Sequence, residues 1–306
     1  MHPPGDDQED GHLMRSLLFV PGDSERKLEK GFSAGADVVI VDLEDSVSRN
    51  NKPLARRLAA DAIRAAPRRG SPAVYVRVND LASGLIGDDL EAVVPAAPDG
   101  IILPKSQGGA DIQHLATKLR VAEIENGLTD GGIRIIPIVT ETGLGTLSTA
   151  TYPNCSPRLA GLTWGAEDLS AAVGARTARD ENGRYTDIFR YARAVTILAA
   201  SASEVPAIDT VFVNFRDLDG LRADCLEAER DGFTAKLAIH PAQVPVINEV
   251  FTPSAEAVAH ANAVVAAFTN AGNPGVVAID GQMYDIPHLK RAERLLARAK
   301  AAGVTA

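Results

Sequence analysis

The feature that most constrains the fold is a regular alternation between short apolar runs and longer segments of helical periodicity. Eight runs rich in β-branched residues recur along the chain, and Ala- and Leu-rich segments separate them. The predicted strands are residues 16–20, 37–41, 73–76, 100–103, 134–139, 160–164, 208–213 and 235–239. The predicted helices between them include residues 24–34, 53–65, 113–126, 188–202 and 218–231.

This alternation predicts an α/β protein with a parallel sheet. Eight strand–helix units within roughly 240 residues are the number that a TIM (β/α)8 barrel requires. The runs are continuously apolar, which is typical of parallel strands buried on both faces. An open, doubly wound sheet is the alternative fold, but no GxGxxG or phosphate-loop motif opens a helix in this sequence.

The segments outside the barrel define the predicted domain organisation. The polar residues 1–13 are expected to form a mobile tail, and residues 14–252 the barrel. Residues 253–306 form a C-terminal extension, with Ser254 as the N-cap of a helix and residues 276–279 as a short extended run. A last helix is predicted from near Pro287 to residue 301. Since the extension is too small for a large core of its own, we expect it to be a packed appendage that covers this barrel or a neighbour's.

Composition excludes several classes of protein. The 31 basic and 40 acidic residues give a net charge of −9, and no basic stripe with interleaved aromatic residues predicts nucleic-acid binding. No run approaches the ~20 apolar residues of a membrane span. The N-terminus lacks the apolar segment of a secretory signal, and Cys155 and Cys225 lie outside any disulfide or zinc motif. These features predict a cytoplasmic protein with two free thiols.

Chemically capable side chains follow the predicted strands. Active sites of (β/α)8 barrels form at the carboxyl ends of the strands, where the loops of several units meet. In this chain those positions carry residues 42–45 (DLED), 77–79 (RVN), 104–105 (PK), 141–142 (ET) and 165–168 (GAED). Loops are polar in any case, but this set predicts an active site at that end of the barrel.

Two carboxylates indicate a metal. Glu141 and Asp168 follow consecutive strands, and Mg²⁺ is commonly held by one or two carboxylates together with water and substrate oxygens. Zinc is disfavoured because His240 is the single histidine at a predicted strand end. The alternative is that either acid merely caps a helix in its loop.

Asp42, Glu44 and Asp45 form an acidic patch after the second strand. Like charges this close need counter-charges, and Lys52, Lys105 and Arg77 are the candidates. The patch either supports a metal and its water ligands or forms a structural ion-pair network.

Arg77 lies in the apolar context of a strand end, where an arginine needs a partner. A planar, bidentate donor suits a substrate carboxylate or an enolate oxygen, and the alternative is an internal ion pair with the acidic patch. Arg26 and Lys30 lie four residues apart on one face of the first predicted helix. That face suits a phosphate-bearing ligand, although a solvated charged face is the simpler interpretation.

Taken together, these segments resemble the citrate lyase β-subunit-like proteins of the HpcH/HpaI aldolase group, which include malyl-CoA lyase and citramalyl-CoA lyase. The resemblance runs from about residue 15 to residue 293. It is carried by residues 15–22 (RSLLFVPG), 42–47 (DLEDSV), 77–79 (RVN), 103–105 (LPK), 141–142 (ET), 165–169 (GAEDL), 239–243 (IHPAQ) and 281–285 (GQMYD). One departure is Ser106-Gln107, where relatives often have an acidic residue.

The resemblance implies a Mg²⁺-dependent lyase on a TIM barrel that assembles as a homotrimer or hexamer. It implies that Glu141 and Asp168 bind Mg²⁺ and that Arg77 contacts the substrate. Glu44 and Asp45 are expected beside Arg77 and Glu141 in the substrate pocket.

It further implies that Arg26 and Lys30 lie near the CoA moiety. Asp285 corresponds to the acid of the C-terminal lid, which acts in a neighbouring subunit's active site.

The implied reaction is reversible carbon–carbon cleavage of a 3-hydroxyacyl-CoA, such as malyl-CoA or citramalyl-CoA, to an acyl-CoA and a 2-oxo acid. Arg77 would stabilise the developing enolate, and Asp285 would exchange a proton with the acyl-CoA carbon. Four alternatives stay open: thioester hydrolysis, action on acyl-carrier-protein thioesters, a CoA-free aldolase for 4-hydroxy-2-oxo acids, and a non-catalytic subunit.

Overall fold

The computed structural model describes residues 13–66 and 72–304, so the predicted tail, except for Leu13, lies outside the described residues. Two compact units make up the described chain. One extends from Met14 to Asn248, and the other comprises Leu13 and the described residues from Glu249 onward.

Strands and helices alternate through the first unit as the sequence predicts. The strands are β1 (Ser16–Pro21), β2 (Val38–Asp42), β3 (Ala73–Arg77), β4 (Gly100–Leu103), β5 (Arg134–Pro137), β6 (Leu162–Thr163), β7 (Ala207–Asp209) and β8 (Ala235–Ala238). The helices are α1 (Glu25–Phe32), α2 (Lys52–Ala65), α3 (Ile86–Val93), α4 (Gly109–Glu125), α5 (Gly143–Leu147), α6 (Ala166–Val173), α7 (Asp187–Ala202), α8 (Leu218–Asp231) and α9 (Val244–Phe251).

All eight strands are parallel and lie in one sheet, in the order β5-β4-β3-β2-β1-β8-β7-β6. The two edge strands meet through isolated parallel bridges, which pair Ile135 with Leu159 and Ile138 with Thr163. The sheet therefore closes into a barrel, and the predicted (β/α)8 fold is confirmed. We call this joint between β5 and β6 the seam.

Alternate residues along the strands form the core inside the barrel. Val38 and Ile40 of β2 pack there with Ala73 and Tyr75 of β3. Side chains two residues apart point to the same face of a strand, so the next position in each series also faces inward. Asp42 and Arg77 occupy these positions and are register partners at the ends of their strands. The same alternation therefore places two charged groups at the carboxyl ends of the strands, and we call this end of the barrel its mouth.

Several predicted strands extend beyond the observed ones, most clearly the runs 134–139, 160–164 and 208–213. The run 134–139 is regular strand only as far as Pro137, although the Ile138 and Val139 N–H groups still donate to the carbonyls of Leu103 and Thr163 at 2.9 and 2.8 Å. The run 208–213 leaves the sheet after Asp209. Further along, the carbonyl of Phe212 accepts a hydrogen bond from the side-chain amide of Gln243 at 2.8 Å, so a side chain takes the place of a neighbouring strand.

A group of charges is buried between β7, β8 and the helices outside them; we call it the outer network. The fully buried Lys236 ammonium contacts Asp209 and also Asp224, the latter at 2.8 Å. The Asp224 carboxylate also accepts a hydrogen bond from Arg179 at 2.7 Å. Burial raises the pKa of Asp224, but Lys236 and Arg179 outweigh it and hold the pKa below its usual value. The indole of Trp164 donates to Asp209 at 2.7 Å, so the end of β6 is tied to this network.

The second unit contains α10 (Ala255–Asn270), the antiparallel hairpin of β9 (Val276–Ile279) and β10 (Gln282–Asp285), and α11 (Ile286–Ala301). The hydroxyl of Ser254 caps α10 by accepting a hydrogen bond from the Ala257 N–H at 3.1 Å, as predicted. Phe268 and Ala292 belong to its small apolar core. Within the described ranges of both units, no helix combines the length and the hydrophobicity needed to cross a membrane.

Candidate metal and substrate site at the mouth of the barrel

Arg77 and Asp42 form a bidentate ion pair at the mouth. The Arg77 Nε and Nη2 atoms each donate to the Asp42 carboxylate at 2.7 Å, and Nη1 lies 2.9 Å from Glu44. The guanidinium also lies over the Phe19 ring, 4.7 Å from its centroid. Burial raises the pKa of Asp42, but the Arg77 charge and hydrogen bonds outweigh it and leave the pKa below its usual value. Arg77 therefore forms the internal ion pair that the sequence left as an alternative.

Lys105 is the centre of the charged cluster. Its backbone N–H donates to the Glu141 carboxylate, and its ammonium contacts Glu44. The same ammonium lies 3.4 Å from Asp45 and 3.7 Å from Asp168. Lys105 has a φ of 53°, in the left-handed region that non-glycine residues seldom adopt. Through this one residue, four acids from three different strand ends come together.

Glu141 is buried, with 3% of its surface exposed, and the hydrogen bond from the Lys105 N–H is its only polar contact among the described residues. Burial, reinforced by the negative charges of Asp168 and Glu44, raises the pKa of Glu141 to about 8. No cation of the described chain forms an ion pair with it. A carboxylate so placed is stabilised in its charged form by a positive ion.

Gly165 is required where the chain passes Glu141. A Cβ atom at residue 165 would lie 2.7 Å from the Cγ atom of Glu141, closer than carbon atoms approach. Asp168 follows in the first turn of α6 with its side chain one-third exposed. The absence of a side chain at Gly165 thus lets the loop that carries Asp168 pack directly against the other candidate ligand.

Lys52, predicted as a counter-charge for the acidic patch, has a different role. Its ammonium donates to the carbonyls of Leu43 and Glu44, at 2.6 and 2.8 Å, and to the Asn79 side chain at 2.8 Å. Asn79 is in turn held by Asp89 through hydrogen bonds of 2.7 and 2.8 Å. Lys52 therefore fixes the backbone from which Glu44 projects.

The predicted residues outside this cluster occupy other places. Arg26 and Lys30 are exposed on one face of α1, the helix that starts just after the loop of β1. Asp285 lies in the C-terminal unit as the N-cap of α11 and contacts the His288 ring. A hydrogen bond from His288 lowers the pKa of Asp285. His240 acts structurally, since its Nδ1 atom accepts the Ala242 N–H at 3.1 Å.

The donor set fits a hard divalent cation. Within the described residues no group of three or more His, Cys, Asp or Glu side chains forms a complete metal cage. Mg²⁺ does not need one, because it keeps several water ligands and binds through one or two carboxylates plus substrate oxygens. The buried Glu141 and the half-exposed Asp168 provide such a pair.

A parallel barrel with charged side chains at the carboxyl ends of its strands has the architecture of a (β/α)8-barrel enzyme. The model of the HpcH/HpaI aldolase/citrate lyase family matches residues 15–241. The chain belongs to this family, so the predicted membership and the predicted class, a carbon–carbon lyase of the citrate lyase β type, are confirmed.

Curated relatives match nearly the whole chain. A citrate lyase subunit beta-like protein of Mycobacterium tuberculosis is 36% identical over 282 residues, which cover 92% of this chain and 94% of that protein. A (3S)-malyl-CoA thioesterase of Cereibacter sphaeroides is 34% identical over 294 residues, with coverages of 95% and 96%. The mitochondrial citramalyl-CoA lyase of Rattus norvegicus is 33% identical over 297 residues, with coverages of 93% and 86%.

A solved structure has the same fold. Protein CitE from Mycobacterium tuberculosis, crystallised with magnesium, acetoacetate and coenzyme A, matches with a TM-score of 0.74 at 34% sequence identity. The match covers 93% of this chain and 97% of that one. The ligands predicted for this chain, magnesium and a CoA compound, are therefore present in a structure of a related protein.

Proposed function

We propose that this protein is a Mg²⁺-dependent lyase that cleaves, or forms, the carbon–carbon bond of a 3-hydroxyacyl-CoA such as malyl-CoA or citramalyl-CoA. The products of cleavage are an acyl-CoA and a 2-oxo acid. The observation that carries the proposal is the buried Glu141, which forms no ion pair with a cation of the described chain and packs against the loop of Asp168. The CoA ligand and the lyase activities named for relatives support it.

In this proposal Glu141 and Asp168 hold the ion. Bound Mg²⁺ supplies Lewis-acid polarisation of the substrate oxygens at the bond that breaks. Glu141 is suited to this task because burial leaves it ready for a positive partner. The exposure of Asp168 leaves room for water and substrate on the other side.

Arg77 is proposed to bind the thioester oxygen as negative charge develops on it. A guanidinium has five N–H donors; two of those of Arg77 bond to Asp42 and Nη1 lies 2.9 Å from Glu44, so donors remain for a substrate oxygen. Because its carboxylate partners hold the group in place, these donors need no reorientation when the enolate forms. The internal ion pair and the substrate contact are thus compatible.

The remaining roles concern CoA and the proton. Arg26 and Lys30 are proposed to contact the CoA phosphates, and Glu44 and Asp45 to border the acyl pocket. Asp285, on the lid of a neighbouring subunit in a homotrimer or hexamer, is proposed to exchange a proton with the acyl-CoA carbon, which it accepts in the condensation direction. Its exposure and lowered pKa leave it ionised in the isolated unit, as a proton acceptor must be in the condensation direction.

The test is a product screen. Purified protein with Mg²⁺ is incubated separately with malyl-, methylmalyl-, citramalyl- and citryl-CoA, and glyoxylate, pyruvate and oxaloacetate are measured. We expect one 2-oxo acid to appear together with an equal amount of acyl-CoA, and Glu141→Gln to abolish both. Absence of all three 2-oxo acids, in protein shown to be folded, would contradict the lyase proposal.

Thioester hydrolysis is the second candidate, because a relative at 34% identity is a (3S)-malyl-CoA thioesterase. Hydrolysis releases free CoA thiol and the intact hydroxy acid, whereas lyase cleavage leaves the thioester bond unbroken. Thiol titration in the same incubations therefore distinguishes the two activities.

A further inference from the structure

Lys105 touches both candidate metal ligands with different parts of one residue. Its backbone N–H donates to Glu141, and its ammonium lies 3.7 Å from Asp168. Its φ of 53° lies in the left-handed region. Such a conformation is unfavourable for a residue with a side chain, so the surrounding contacts must hold it.

The ion pairs at the mouth are divided between Arg77 and the Lys105 ammonium. Arg77 is committed to Asp42 and Glu44. Among the described residues, Lys105 is the single ion-pair partner of Asp45 and of Asp168, and it also contacts Glu44. Its side chain is about one-third exposed, so it has space to move from one acid to another.

We propose that the Lys105 ammonium is a built-in counter-cation that competes with the divalent metal for Asp168 and thereby weakens metal binding. The inference rests on the proposed function, since it assigns the ion to Glu141 and Asp168. In the absence of the ion the ammonium neutralises Asp168. When the ion is present, Glu44 and Asp45 retain the ammonium, and its positive charge opposes that of the metal.

The sign of the effect follows from Coulomb's law. Removing one positive charge a few ångströms from a divalent ion favours the ion by more than ~1 kcal/mol even at the dielectric constant of water, or about tenfold in affinity. If Lys105 instead served to orient Asp168 for the metal, its removal would weaken binding. The two roles therefore predict opposite changes.

The experiment is isothermal titration of MgCl2 into metal-free protein, without substrate. We expect Lys105→Met and Lys105→Gln to bind Mg²⁺ at least ~10-fold more tightly than the wild type, and Lys105→Arg to stay within ~3-fold because the charge is kept. Lys118→Met, on α4 away from the mouth, is the control for a change in net charge and should bind like the wild type.

Equal or weaker binding by both neutral variants, with thermal unfolding showing that they are folded, would overturn the inference. That result is distinct from failure of the proposed function, in which the wild type and Glu141→Gln would show the same absence of Mg²⁺ binding. A folded neutral variant suffices for the test, because the backbone N–H that contacts Glu141 is present whichever side chain residue 105 carries.

Discussion

The mouth of the barrel and the outer network are built from the same residue types, but they differ in whether each buried acid has a cation paired with it. In the outer network, Asp209 and Asp224 share the buried Lys236, and Arg179 adds a second cation for Asp224. At the mouth, Glu141 is as deeply buried as these acids but forms no ion pair with a cation of the described chain.

The difference separates structural charge from functional charge. Burying an acid with its counter-ion satisfies both groups, and the result is a fixed joint between strand and helix. Burying an acid without one costs free energy that a ligand can recover when it binds. The outer network is therefore complete in the chain itself, whereas in the proposed function a bound cation completes the mouth.

The largest expected effect is on stability. It is measured by replacing a lysine with methionine in the outer network and, separately, at the mouth. Lys236→Met leaves Asp209 and Asp224 without their shared ammonium and should lower the free energy of unfolding by about 3–5 kcal/mol. Lys105→Met, at the partly exposed mouth, should lower it by less than ~1 kcal/mol. Urea denaturation of both variants measures the contrast, and similar losses would show that the two clusters are not different in kind.

The second effect is on activity. Glu141→Gln removes a charge from the proposed metal site while keeping the shape of the side chain, and we expect at least ~10²-fold loss of lyase rate. Without Mg²⁺ its free energy of unfolding should equal or exceed that of the wild type, because no unpaired carboxylate is buried. Thermal unfolding with and without Mg²⁺ provides the check: the ion should raise the melting temperature of the wild type alone.

A third substitution tests the packing behind Glu141. Gly165→Ala places a methyl group 2.7 Å from the Glu141 Cγ atom, and the resulting overpacking should cost about 1–3 kcal/mol and weaken Mg²⁺ binding. Gly143→Ala is the matched control, because nothing lies within 4 Å of the added methyl group. Equal stability of the two variants would contradict the close packing of Gly165 on Glu141.

The smallest expected effect is on how the free energy of unfolding changes at acidic pH. The pKa of Asp224 lies below its usual value of 3.8 when folded, so the unfolded chain takes up the proton first as the pH falls. The contribution of Asp224 to stability is thus complete well above pH 3.8 and is lost as the pH falls through the folded pKa. The difference in unfolding free energy between wild type and Asp224→Asn should therefore narrow from about pH 5 downward. A constant difference would show that Asp224 is not paired as an anion.

The sequence predicts the barrel well because strand and helix periods are local properties. It also predicts the acids at the mouth, since the ends of parallel strands meet at one edge. It does not predict the left-handed turn at Lys105 or the contact of Gly165 with Glu141, which depend on how separate loops approach. The sequence does not predict the outer network either, because the pairing of Lys236 with Asp209 depends on the register between β7 and β8.

The seam has a consequence for motion in the barrel. Isolated bridges hold it, with Ile135 and Val139 donating across it to the carbonyls of Arg158 and Thr163 at 2.8 Å. Glu141 follows β5 and Asp168 follows β6, so the two proposed ligands stand on opposite sides of this joint. An ion shared between them would fasten the two edges of the sheet, and amide hydrogen exchange at Ile135 and Val139 would slow in its presence.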